Sequence, residues 1–447
     1  MSSPYDFTTW EPLLRLLRTA HAREAAAPGG QVSGSIGRDT DDVPLTDDRE
    51  ARDAIERVRT ALASAGMTDM GFAARIPPSG AVVLRLFDRT AATEDAVGSV
   101  LGALTLVEGA VPEPWRRLPE PVDGARPAPS ADPELLERRL RDLIPDAIGA
   151  TEEEIAAAEE RLGLTLPEEV KALHRVTRAR WEDWRDDHEA EQRVLGAVGF
   201  DPIPLEHLFV ADLSMRSSFS WEHAATGAVL TGPEDAVQDL VGSPGWIVIG
   251  DTGGGDQVVV DLTPGPRGHL GQIVVLDHEQ AVGASLWADS LTDLVLGPER
   301  TWYTGHRWEK PPLTAMVHDG SAGSIEAVAQ PALEVLSIVS RTGAPLSLAP
   351  LVGLPRLRTL RAAPGTLADP LQIAELTGLE FLELAPEDWR VLLDAGAVPR
   401  SLSAASFQRF GHQDPRFAVA LADEILALWD RPLTTETVIN GDLGPLS

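Results

Sequence analysis

Three stretches of this chain hold residues whose types and spacing invite chemistry. The first is Gly253-Gly254-Gly255-Asp256, preceded by Asp251 and followed by Asp261. Its glycines suit a phosphate cradle and its aspartates a calcium loop. A phosphate loop, however, runs into a helix whose N-terminal amides meet the anion. Here the glycines separate two apolar runs, Trp246-Ile247-Val248-Ile249 and Val258-Val259-Val260, which is the pattern of a tight β-hairpin with glycine supplying positive φ. A calcium loop closes on a bidentate glutamate, and the three aspartates lack that pattern. The second stretch, Asp277-His278-Glu279, is the tightest grouping of histidine and acid. The ten histidines show no paired spacing of the kind zinc requires, so His278 reads as a satisfied histidine at a strand end. With no cysteine, thiolate nucleophiles, disulfides and Cys-metal sites are excluded. No Gly-x-Ser-x-Gly elbow is present. The expectation is a protein without catalytic residues, metal or cofactor.

The third stretch is Trp181-Glu182-Asp183-Trp184-Arg185-Asp186-Asp187-His188. Trp181 and Trp184 are three residues apart and would share a helix face. Tryptophans beside charges are effective interface anchors, because they cover much area with few rotatable bonds; filling the core beside a sheet is the alternative. The expected partner-binding residues are Trp181, Trp184, Asp251, Gly253, Gly254, Gly255 and Asp256.

The elements that position these residues are clearest at residues 151–173. Thr151 and Glu154 have the spacing of a capping box. Ile155, Ala158 and Leu162 recur on one helical face. Gly163 suits a left-handed helix end, and Pro167 the first position of the next helix. Glu159 falls at the core boundary, where a carboxylate needs donors; it reads as a structural group bonding backbone N–H groups of the sheet.

These blocks resemble the SUKH superfamily, which includes fungal cell-wall assembly regulators and bacterial toxin-immunity proteins. The resemblance is carried by Thr151, Ile155, Glu159, Leu162, Gly163, Leu166 and Pro167, then by residues 245–251, Asp256, residues 258–262, the strand leading to Asp277-His278-Glu279, and a closing helix near residues 290–296. It covers about a third of the chain. Where the family often follows its second helix with Asn-Gly, this chain has Thr177-Arg178-Ala179-Arg180-Trp181. The resemblance implies an α+β domain, a mostly antiparallel sheet flanked by helices.

The remainder divides by composition. Residues 1–118 read as a small α+β unit: an amphipathic start, a Gly/Ser/Asp-rich segment at 28–48 expected to be mobile, a helix at 48–64, and a hairpin formed by 72–76 and 81–87. Residues 119–132 are a Pro-rich linker, 133–297 the SUKH-like domain, and 298–330 a connector holding Trp302, Tyr303 and Trp308. In residues 331–447, Leu333-Glu334-Val335-Leu336, Leu357-Arg358-Thr359-Leu360 and Leu379-Glu380-Phe381-Leu382 recur at intervals of 24 and 22 residues, with a degenerate copy at 398–402. This resembles a short leucine-rich-repeat array, in which each repeat buries its leucines only against its neighbours; a helix at 417–428 would cap it.

The chain of 447 residues carries 69 acids against 38 bases, a net charge of −31. Lys171 and Lys310 are its two lysines, and the arginine bias suggests high-GC bacterial coding. Such acidity disfavours nucleic acid, whose phosphates demand clustered cations, and favours either solubility or a protein partner with a basic surface. No window is apolar and long enough for a membrane span, and a cytoplasmic location is expected. The functional expectation is a non-enzymatic protein-binding module of SUKH type: an immunity-like protein that occludes a toxin or effector, or alternatively an intracellular scaffold or regulator of a larger assembly.

Overall fold

The structure, a computed structural model, describes residues 3–21, 31–38, 41–94, 101–184, 187–216, 220–280, 282–297, 312–319, 324–339, 342–408 and 415–445. Trp302, Tyr303, Trp308, Arg185 and Asp186 lie outside the described residues. The fold is mixed α+β and divides into two compact units. One combines Met1–Val111, Ser220–Ala225 and Thr314–Ser447; the other combines Pro112–Phe219 and Thr226–Leu313.

The second of these units is built on an antiparallel sheet in the order Ser285–Ala288, Gln272–Leu276, Gln257–Asp261, Trp246–Asp251, Asp201–Pro202. Ile247, Ile249, Val258, Val260 and Ile273 pack under the helices Pro133–Leu143, Glu152–Leu162, Glu168–Val176, His188–Val198 and Leu291–Leu296. The alternate residues Trp246, Val248, Val259 and Val274 are buried on the opposite face with Ala211, Val237 and Leu240. Because both faces are covered, the strands read as continuous apolar runs and not as alternation.

Local signals become local structure. The Thr151 N–H donates to Glu154 Oε2 at 2.8 Å, and the Glu154 N–H to Thr151 Oγ1 at 3.2 Å. Gly163 ends the helix at φ 69°, where glycine carries no Cβ penalty. Pro167 is the cap residue of the next helix and not its first helical residue, a one-position difference of the size helix ends ordinarily show. The Pro-rich stretch is no free spacer: Gln238 bonds the N–H and the carbonyl of Glu120, and the Arg126 carbonyl accepts from Leu270.

The other unit contains two sheets. In the first, Thr435–Asp442, Ala81–Asp88, Asp69–Arg75, Val32–Gly37 and Asp41–Asp42 pair antiparallel. Helices Phe7–Ala20 and Arg49–Ser64 bury Trp10, Leu13, Leu14, Ile55 and Val58 against Phe72 and Leu84. The expected hairpin is present. The segment expected to be mobile instead contributes a strand: Val32 and Ile36 are buried, and the small residues between them reflect close approach, since a Cβ on Gly34 would lie 2.3 Å from the Asp42 carbonyl oxygen. Residues 1–118 also do not stand apart from the C-terminal region, because strand Thr435–Asp442 lies beside Ala81–Asp88.

The second sheet stacks Thr314–Val317, Val335–Ile338, Thr359–Ala362, Phe381–Leu384 and Ala404–Phe407 in parallel, with Leu104–Thr105 antiparallel at the end. Leu336, Leu360, Leu382 and Ala405 lie in one register row, and helix Pro415–Ala427 covers the array with Leu421, Ala422, Ile425 and Leu426. The stack begins one strand earlier than the sequence repeat, inside the expected connector. Its leucine-rich-repeat character remains a resemblance.

Candidate functional site

Two patches of the sheet-and-helix unit hold the expected partner-binding residues. The first is the loop following helix Glu168–Val176. There Ala179 adopts φ 54° while being buried, a left-handed conformation that strains a residue bearing a Cβ by about 1–2 kcal/mol. This is the stretch in which the family resemblance leads one to expect Asn-Gly. Two contacts hold it. The Ala179 N–H donates to Thr177 Oγ1 at 3.2 Å, and the Arg178 guanidinium grips Asp183 with two hydrogen bonds of 2.7 and 2.5 Å.

That grip carries the single-turn helix Trp181–Trp184. The two tryptophans do not share an environment, in contrast to the expected common face: Trp181 is 57% exposed, whereas Trp184 packs against the core. Trp184, Ile144, Ile148, Thr177 and Val194 line a cleft of about 60 Å³.

Three further bases around this loop are paired. Arg180 reaches Glu154 at 3.0 Å and Glu206 at 2.7 Å, Arg175 reaches Glu152 at 2.6 Å, and Lys171 reaches Glu159 at 2.9 Å. Glu159 is structural as expected, but its backbone donor is Leu166 in the inter-helix connector at 2.9 Å and not a sheet amide. Its Lys171 contact and that amide hold its carboxyl below the usual range. Glu182, beside Trp181 in the chain, is exposed, as are Asp187 and the cleft residue Asp146.

The second patch is the hairpin. Gly253 and Gly255 have φ of 86° and 97°, and Asp251 Oδ1 accepts from the Gly253 N–H at 2.6 Å, with Gly255 more distant at 3.5 Å. Asp256 Oδ1 accepts from the His278 backbone N–H at 3.0 Å and meets His278 Nδ1 at 2.7 Å. These bonds hold the Asp256 carboxyl below its ordinary value and raise His278 above its own. Asp251 is therefore a tie within the hairpin and Asp256 a tie from the hairpin to the end of strand Gln272–Leu276, and Gly254 is at the exposed tip. Asp256, Asp277 and His278 bring ligand atoms within 4.8 Å of one another. That set offers one nitrogen and two carboxylates, fewer than the four donors of a structural zinc site. Neither hairpin aspartate lines the Trp184 cleft, so the expected residues form two patches.

Three buried polar residues were not singled out as a group by sequence. Asp261 accepts from Trp246 Nε1 at 3.1 Å, the Thr263 N–H at 2.7 Å and Gln272 Nε2 at 2.8 Å. Burial outweighs these donors and pushes its carboxyl up to about 6. Glu169 caps helix Leu291–Leu296, accepting from the Thr292 N–H at 2.9 Å and the Leu291 N–H at 3.3 Å. His174 is fully buried, and burial drives its imidazole down to about 4 against the weaker opposing pull of the Thr177 backbone and Glu206. A lone acid ending an apolar strand was the available signal for Asp261; the helical positions of Glu169 and His174 gave none.

Comparison with known proteins fits this architecture. Residues 149–297 match the SMI1 / KNR4 family (SUKH-1). These residues form an SMI1/KNR4 (SUKH-1) domain. Similar proteins include a glucan synthesis regulatory protein of Neurospora crassa, 27% identical over 122 residues, which are 25% of this chain and 22% of that protein. A KNR4/SMI1 homolog of Yarrowia lipolytica is 34% identical over 105 residues, 23% of this chain and 14% of the relative. The cell wall biosynthesis/cell cycle regulator smi1 of Schizosaccharomyces pombe is 39% identical over 62 residues, 13% of this chain and 12% of the relative. The chain thus spans less than a quarter of the length of these relatives. These relatives are fungal, and they lend the bacterial reading of the arginine bias no support.

Proposed function

We propose that this chain is a regulatory or scaffolding protein whose SUKH-1 domain works by binding a protein partner and not by turnover. The observation that carries the reading is the domain match itself, together with relatives whose names describe regulators. An immunity role, the other implication of the family resemblance, draws no support from them. The geometry agrees with binding. The strongly shifted groups Asp261 and His174 are buried, and neither lines the Trp184 cleft. An exposed tryptophan held by a clamped loop on an acidic surface has the chemistry of an interface anchor for a basic partner. Trp181 is the first contact to test, with Trp184 supporting it; Asp251, Gly253, Gly254, Gly255 and Asp256 are a second candidate contact.

The test is cross-linking mass spectrometry on the tagged full chain in its native cells. A regulator is expected to yield several recurring partners from one assembly. A single stoichiometric partner whose toxicity the chain abolishes would instead favour immunity, and turnover abolished by one substitution would replace both readings with an enzyme. An intracellular site of action is part of this proposal and is itself to be tested. No helix among the described residues is long and apolar enough to cross a membrane.

A further inference from the structure

We propose that the cleft between residues 144–148 and helix His188–Val198 receives one aliphatic side chain of a partner segment that carries arginine or lysine on both sides of it. This deepens the binding reading above and rests on it.

The argument begins with size. The cleft has a volume of about 60 Å³, and Ile144, Ile148, Val194 and Trp184 are among its lining residues, so it suits the branched end of a leucine. Apolar surface continues outside it: Ile148 is 49% exposed, and Leu143 and Trp181 are comparably open. These residues leave apolar area in water that an anchor side chain would cover.

Charge selects the rest of the occupant. Asp146 lines the cleft and is exposed, and Glu182 and Asp187 flank the lining residues Asp183 and Trp184 in the chain. Of the bases at hand, Arg178 is neutralised by Asp183 and Arg180 by Glu154 and Glu206. Arg193 is the one cation among the described lining residues, against Asp146 and Asp183. A basic segment is attracted to such a rim and an acidic one repelled. The strained Ala179, fixed by the Arg178–Asp183 clamp, points to the same place: backbone strain concentrates where a fixed geometry serves recognition.

The test uses three fluorescein-labelled peptides in a Gly-Ser background: one with a leucine flanked by three arginines on each side, one with that leucine replaced by serine, and one with the arginines replaced by glutamates. Anisotropy against the full chain is expected to show the first binding about tenfold tighter than either control. Trp181→Ala and Ile148→Ser should each weaken it about tenfold. Both residues are exposed, so circular dichroism and the thermal midpoint should not change. Equal binding of the leucine and serine peptides would reduce the effect to charge alone and overturn the proposal, as would unchanged binding by the two variants. Cellular partners identified as above separate the two levels of inference. If the wild type and both variants retain the same partners, the binding reading stands and the cleft falls; if the wild type has no specific partner, the binding reading itself falls.

Discussion

Arg178 and Asp183 form a two-bond ion pair that joins the loop after helix Glu168–Val176 to the turn bearing both tryptophans. The Asp183 side chain is only 9% exposed, while that of Arg178 is 29% exposed. Removing the guanidinium would leave a carboxylate with little water around it, which costs more than the pair contributes. Arg178→Ala is expected to destabilise the domain by about 2 kcal/mol, and Arg178→Ala with Asp183→Ala by less than the sum of the single changes. Urea denaturation of the four chains supplies the cycle. Strict additivity would show that the pair does not hold the loop.

Ala179 provides a complementary test in which stability should rise. Its left-handed φ of 54° is one that glycine adopts without penalty. Ala179→Gly should therefore stabilise by up to about 1 kcal/mol, part of the relieved strain being offset by the freer unfolded chain. Ala179→Val should destabilise strongly, because a β-branched side chain resists this conformation. A glycine variant less stable than the parent would show that the strain is not relieved at this position.

The ease of reading residues 151–167 and the difficulty of reading Ala179 have the same cause. Thr151, Glu154, Gly163 and Pro167 act on neighbours within one or two turns, so their residue types announce their roles. Ala179 is held in its conformation by Thr177 Oγ1, by the Arg178–Asp183 pair and by burial, and nothing in the word alanine signals a left-handed residue. Range explains the other differences. Strand Thr435–Asp442 lies beside Ala81–Asp88, and the Arg85–Glu436 pair within it joins positions 351 apart in the chain. No local pattern reports such a partner, and residues 1–118 consequently read as self-contained. The parallel stack was visible because its pairing repeats the sequence period. The Trp184 cleft was half visible: the tryptophans stood out, while Ile144, Ile148 and Val194 come from two other elements and converge only in three dimensions.

The Asp256–His278 contact makes a prediction for the hairpin. His278 is held above its ordinary value by the Asp256 carboxylate, which is itself held below its own. Each favours the charged form of the other. An NMR titration should place the His278 midpoint above 6.5, the ordinary value, and Asp256→Asn should bring it back toward that value. A midpoint that Asp256→Asn leaves in place would mean that the contact is not maintained in solution. Zinc added during the same titration reports on the His278, Asp256 and Asp277 grouping directly, since a bound metal would lower the midpoint.

His174 and Asp261 should impose opposite pH dependences on one domain. The folded His174 titrates near 4 and an unfolded histidine near 6.5; between those values the unfolded chain binds a proton that the folded chain refuses. Stability contributed here is fully present above about 6.5 and falls as pH drops toward 4, by at most about 1.4 kcal/mol per pH unit. Asp261 is the reverse. Its folded carboxyl titrates near 6 and its unfolded one near 3.8, so the folded state keeps a proton that the unfolded state releases, and stability falls as pH rises from about 4 to 6. The two slopes offset each other through that window. Asp261→Asn should expose the histidine slope, with stability rising from pH 4 to 6.5, and His174→Gln the aspartate slope, with stability falling from pH 4 to 6. Hydrogen exchange in strand Gln257–Asp261, corrected for the intrinsic pH dependence of exchange, reads each one within this domain. Parallel pH profiles in the two variants would show that at least one of these groups does not titrate as its burial requires.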